Sequence, residues 1–232
     1  MIAPSTAPLP GWTPRAPLPL DPMEGRGVRL ERLTPAHAAG LYTALEGADA
    51  NWNFLPYGPF DADGLADWVG WAAAQTDPWF FAILVGGLPL GVASYLRVVP
   101  EHGVAEVGHI NFAPALKGTR AATEAMALMA ERVFDAGYRR YEWKCDAANR
   151  PSRRAAERLG FSYEGVFRQH LVVKGHNRDT AWFAMTDGDW PAIRIALKTW
   201  LDRENFDADG RQSLSLSTLT RPHLVLRDPD LG

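Results

Sequence analysis

At 232 residues, with 47% apolar and 22% charged side chains, the chain has the composition of one ordinary globular α/β domain with terminal extensions, short for two domains with separate cores. Its net charge of −3 offers no basic excess for nucleic acid, and no apolar run approaches the ~20 residues of a membrane span. The single cysteine, Cys145, excludes an intrachain disulfide or a multi-cysteine zinc site; with an N-terminus that lacks a signal-peptide layout, it points to the cytoplasm.

Pro4, Pro8, Pro10, Pro14, Pro17, Pro19 and Pro22 block helix and ladder formation, so residues 1–25 read as an extended arm off the core, ahead of a domain over residues 26–190. Alternation predicts a strand at 28–33, and Thr34-Pro35 opens a helix to residue 45. The stretch 51–60, NWNFLPYGPF, is too rich in proline and glycine for regular structure and too apolar for a solvated loop; something covers it or binds it. A helix at 61–75 buries Leu65, Trp68, Val69 and Ala72. Strands at 80–85 and 90–99 flank the turn Gly86-Gly87, and a third at 104–112 stops before Pro114.

Residues 119–136 carry the clearest helix, with Ala122, Met126, Met129 and Val133 on one face and Gly137 beyond its end. A strand at 138–146 follows, then a helix capped by Asn149 and closed by Gly160, then strands at 163–173 and 180–186. The pairs Arg139-Arg140 and Arg153-Arg154 read as solvated positions. Beyond residue 190, an amphipathic helix to 203 precedes a tail whose Leu214, Leu216, Leu224 and Leu226 suggest packing on a second copy, a homodimer.

Lys117 and Gly118 lie between a strand and a strong helix, where unpaired N–H groups and the helix dipole favour an anion. The stretch 116–125, LKGTRAATEA, is neither a P-loop nor a GxGxxG turn. It resembles motif A of the GNAT N-acetyltransferases, [RQ]-G-x-G-x-[AG], with Lys117 and Arg120 as departures. Asn149, Ser152, Gly160-Phe161 and Glu164-Gly165 resemble N-x-x-S…G-F-x-x-E-G of the branch typified by the ribosomal-protein N-terminal acetyltransferases. A plain glycine before a helix, and an ordinary cap at Asn149, are the alternative readings of these positions.

The resemblance implies a mixed, mostly antiparallel sheet with a central parallel strand pair, flanked by helices. It implies acetyl-CoA as cosubstrate, no metal, and acetyl transfer to a small-molecule or peptide amine by direct attack in a ternary complex. Lys117, Gly118, Thr119, Arg120, Ala121 and Ala122 would cradle the pyrophosphate; Ile110, Asn111 and Phe112 would hold the pantetheine arm together with Asn149; Ser152 would sit by the sulfur and protonate the thiolate. Glu106 and His109 are the candidate bases, and strand alternation lets only one reach the amine; Glu106 is preferred, beside its reading as an ordinary strand carboxylate. Trp52, Phe54 and Tyr57 would line the acceptor pocket, while Trp68 and Trp71 pack on the sheet. A catalytically silent acetyl-CoA-binding module is the alternative from another class. A thiol enzyme using Cys145 with His109 or His170 lacks a local signature, and the histidines lack metal-ligand spacing.

Overall fold

The computed structural model describes residues 6–231, so Pro4 lies outside the described residues. In chain order the elements are β1 (Met23–Glu24), β2 (Arg29–Arg32), α1 (Ala38–Ala44), α2 (Ala62–Ala73), β3 (Trp79–Val85), β4 (Leu88–Val99), β5 (Val104–Phe112), α3 (Arg120–Asp135), β6 (Arg140–Asp146), α4 (Arg150–Leu159), β7 (Ser162–Val173), β8 (His176–Thr186), α5 (Trp190–Leu201) and α6 (Leu216–Thr220). They build one eight-stranded sheet of order β1-β2-β3-β4-β5-β6-β8-β7. All neighbours are antiparallel except β5 and β6, the central parallel pair that the resemblance implied.

The alternation of β3 shows why its sequence is a continuous apolar run. Phe81 and Ile83 join the core under α3, α4 and α5, while Phe80 and Ala82 join a second core under α1 and α2. A strand covered on both faces has no polar side to display. Helix α3 buries Ala122, Ala125, Met126, Met129, Ala130 and Val133, a stripe at helical spacing. The first turn after Thr34 is a 3-10 turn, Pro35–His37, before α1 begins.

The expectation that the N-terminal arm lies off the core is corrected. The arm is extended, but Leu18 and Met23 are 3% and 5% exposed within the core. Tyr138 donates to Ala16 O at 3.0 Å, Arg132 to Pro19 O at 3.0 Å, and Trp12 to Glu101 O at 3.0 Å. Proline removes donors and leaves carbonyls, so the arm docks as an acceptor for side chains of the domain.

The tail likewise packs on its own chain. Leu216 is fully buried, Tyr163 N–H donates to Leu226 O at 2.9 Å, and Arg153 pairs with Asp228. Leu214 and Leu226 remain about half exposed. Arg153, expected in solvent, is only 4% exposed because its partner arrives from 75 residues away.

Candidate active site

The parallel pairing of β5 and β6 runs from Val104↔Arg140 to Val107↔Trp143 and stops, although β5 continues to Phe112 and β6 to Asp146. A bulge accompanies the separation. Ser94 of β4 faces Gly108, but Val92 faces Asn111, so β5 carries one residue more than its partner there, and His109 has φ 50°. Gly91 permits the close approach of β4, since a Cβ on it would lie 2.8 Å from Asn111 O.

Leu116 N–H and Lys117 N–H both donate to Ala113 O, a tight turn that leads to Gly118 at φ 73°. Thr119 caps α3, its hydroxyl accepting from Ala122 N–H at 3.2 Å. Among the described residues the N–H groups of Gly118, Arg120 and Ala121 have no acceptor. They stand at the positive end of a 16-residue helix. Lys117 donates to Asn51, whose amide donates in turn to Asn111 Oδ1 and Phe112 O, both at 2.8 Å. Asn111 is 2% exposed, and its Nδ2 donor is buried without an acceptor among the described residues.

On the other wall, Asn149 caps α4 by accepting from Ser152 N–H at 3.1 Å. Ser152 Oγ accepts from Trp143 Nε1 at 3.0 Å, which ties the start of α4 to the last residue of β6 that pairs with β5. Between these walls lies a cleft of about 1170 Å³. Ile110, Asn111, Phe112, Lys117, Gly118, Thr119, Arg120, Ala122, Asn149 and Ser152 line it, whereas Ala121 contributes no lining surface. Among the described residues its charged lining is Lys117, Arg120, Arg154, Arg158 and Arg211, with no carboxylate. In a chain of net charge −3, that concentration of cations selects for an anion.

The base candidates lie elsewhere. Ala105 and Val107 point into the α3 core, so Glu106 faces the opposite side of the sheet. There it is 3% exposed, paired with Arg97 Nε at 2.7 Å and Lys144 Nζ at 2.9 Å. Burial pushes its carboxyl above the usual carboxylate range, and Lys144 and Arg97 pull it back only in part.

His109 was expected on the face opposite to Glu106. The bulge reverses that: His109 packs 5.2 Å from Phe80 and stacks on Tyr57, both on the α2 side, and shares a 2.7 Å hydrogen bond with the Tyr57 hydroxyl. Burial, helped by Arg97 and Arg178, pushes its imidazole down to about 4. Neither Glu106 nor His109 lines the cleft.

Of the aromatic loop, Phe54 lines the cleft. Tyr57 lies against His109. Trp52 is a core residue, 4% exposed and edge-on to Tyr57, Phe60 and Trp68, which corrects its placement in a pocket. The loop is covered as well as closed from outside, by Lys174 at the β7–β8 turn, which donates to Trp52 O and Gly58 O.

The acetyltransferase (GNAT) domain matches residues 28–162 of the chain. The chain belongs to the GNAT acetyltransferase family. A GCN5-related N-acetyltransferase from Brucella melitensis is 44% identical, with a TM-score of 0.89 over 92% of this chain and 100% of that one. A probable GNAT acetyltransferase from Chromobacterium violaceum is 43% identical, with a TM-score of 0.77 over 83% and 99%. The ribosomal L7/L12 α-N-protein acetyltransferase RimL, 19% identical with a TM-score of 0.63 over 76% and 99%, shares the fold. No protein of curated function matches the sequence.

Within this GNAT frame, sequence reasoning missed Asn51, Trp143, Arg158, Trp200, Phe206 and Arg211 in the cleft lining. Asn51 opens the aromatic loop, and Trp143 lies in a predicted strand; only the splay reveals what they face. Among the described residues no cluster of three or more His, Cys, Asp or Glu is arranged to hold a metal, and no helix is long and apolar enough to cross a membrane.

Proposed function

We propose that this GNAT chain transfers the acetyl group of acetyl-CoA to a primary amine, on a protein N-terminus or a small molecule, by direct attack in a ternary complex. The observation that carries the reading is the cleft: cationic, free of carboxylates among the described residues, and running from unspent N–H groups at Gly118 and Arg120 to the strand splay.

In this reading the pyrophosphate takes those N–H groups and the charge of Lys117. The pantetheine arm lies along residues 110–112 and beside Asn149, with the orphan Asn111 Nδ2 supplying a donor to one of its oxygens. Ser152 Oγ accepts from Trp143 and its hydroxyl also interacts with the Cys145 sulfur; in this reading the hydroxyl turns to donate to the leaving thiolate. Burial pushes the Cys145 thiol up to about 11, which removes the thiolate that an acetyl-cysteine route needs at neutral pH. In this reading Glu106, a strand carboxylate next to the end of the β5–β6 pairing but not itself part of the cleft lining, takes the amine proton through water.

The two ion pairs that hold Glu106 favour one second reading, a silent acetyl-CoA-binding module. An assay of CoA release with polyamines, amino acids, aminoglycosides and peptides separates the two. Turnover with one class of amine, reduced about 10²–10⁴-fold by Glu106→Gln at unchanged acetyl-CoA affinity, is the expected result. Saturable binding with no transfer to any amine establishes the silent module, and absence of acetyl-CoA binding overturns both.

A further inference from the structure

Part of the cleft wall comes from outside the family-matched residues 28–162. Trp200, Phe206, Arg211 and Gln212 line it from the segment that follows α5. That segment is a built loop. Asn205, 7% exposed, donates to Trp200 O and Leu214 O and accepts from Leu214 N–H at 2.8 Å. Phe206 bridges Gln212, and Asp207 Oδ1 accepts from Arg211 N–H at 2.8 Å and Asp209 N–H at 3.0 Å. Gln212 accepts from Trp200 Nε1 at 2.7 Å.

The same segment holds two cations of the cleft by their flat faces. Arg158 lies 4.8 Å from the centre of the Trp200 ring, and Arg120 lies 4.3 Å from that of Phe206 while donating to Leu201 O at 2.8 Å. This accounts for the arginine where the family motif has glycine: its side chain leaves the turn and is taken up by the C-terminal segment.

Helix α4 sets the direction of the cleft. Ser152 is tied to the splay through Trp143, and Arg158, six residues on and about 9 Å along the axis, rests on Trp200. The splay and the C-terminal segment are therefore opposite ends.

We infer that residues 200–212 form the nucleotide end of the cosubstrate cleft and that Arg211 pairs with the adenosine 3′-phosphate of CoA. The inference rests on the acetyl-CoA reading above. With the thioester at the splay and the pyrophosphate at Gly118, the 3′-phosphoadenosine is the part of the molecule left for this end. Arg211 lines the cleft, its side chain is 80% exposed, and among the described residues its guanidinium has only a loose 3.7 Å contact with Asp209, whose side chain is 75% exposed. Its guanidinium is free to take a phosphate by two parallel hydrogen bonds.

Calorimetric titration of the full chain with CoA and with 3′-dephospho-CoA tests this. The wild type binds CoA about tenfold more tightly, Arg211→Gln removes that preference without weakening 3′-dephospho-CoA, and Arg211→Lys restores part of it. The melting temperature stays unchanged, as an exposed side chain predicts. Equal affinity of the wild type for both ligands overturns the inference, as does equal weakening of both, or of neither, by Arg211→Gln. Failure of the wild type to bind either ligand overturns the acetyl-CoA reading itself, and the inference with it.

Discussion

Asp228→Ala is the most direct test of how the C-terminal tail is held. The Asp228 side chain is fully buried and that of Arg153 is 5% exposed; Nε donates to Oδ2 at 2.6 Å and a terminal nitrogen to Oδ1 at 2.5 Å. Arg153 also donates to Ala147 O at 2.8 Å and to Asp230, which is 61% exposed. Removing one partner of a buried pair leaves the other charge uncompensated, a cost of about 3–5 kcal/mol. Asp230 remains to offset part of it, so the expected loss is near the lower end, about 3 kcal/mol. With a urea m-value of about 3 kcal/mol/M for a chain of this size, the midpoint falls by about 1 M, read by tryptophan fluorescence. Replacing the pair together, Arg153→Met with Asp228→Leu, strands no charge and returns the midpoint to near the wild-type value. A shift under about 0.3 M for Asp228→Ala, or a double variant no better than the single one, refutes the reasoning.

Three further outcomes follow from the geometry. Gly118→Val forces a β-branched residue to φ 73° beside the unspent N–H groups; acetyl-CoA affinity falls at least about tenfold, at a stability cost of about 1–2 kcal/mol, measured by titration and thermal melting. Trp52→Ala empties a core site and destabilises by about 3–5 kcal/mol; a normal melting temperature with a raised acceptor KM would return Trp52 to the pocket. His109 titrates at about 4 in the fold against 6.5 unfolded, so its contribution is whole above pH 6.5 and is lost as pH falls through 4. That amounts to about 3 kcal/mol, and His109→Phe flattens the corresponding slope of stability between those values when wild type and variant are unfolded in parallel; matching slopes contradict the assignment.

The helices and strands were legible where period and punctuation agreed. Asp61 caps α2, Thr119 caps α3, and Gly160 closes α4 as their types suggest. What stayed hidden was non-local. Nothing near His109 marks a bulge, and without it strict alternation assigns the wrong face to that residue. Arg120 was conspicuous in sequence as a departure, but its partners Leu201 and Phe206 lie more than eighty positions away. Arg153 looked like one half of a solvated basic pair until the tail folded back over it. Trp52 shows a different limit, because an aromatic-rich loop has the same composition whether its rings face a ligand or one another.

The splay has a consequence for the sheet as well as for the cleft. Strands carry unpaired backbone groups at the rim, where other chains can add to them. Beyond Val107 this protein keeps such a rim in its interior, flanked by β4 on one side and by the diverging β6 on the other. Residues 108–112 thus keep the hydrogen-bonding capacity of an edge strand on their β6 side while β4 and the diverging β6 flank them, so these groups are withheld from the outer rim where one sheet adds to another.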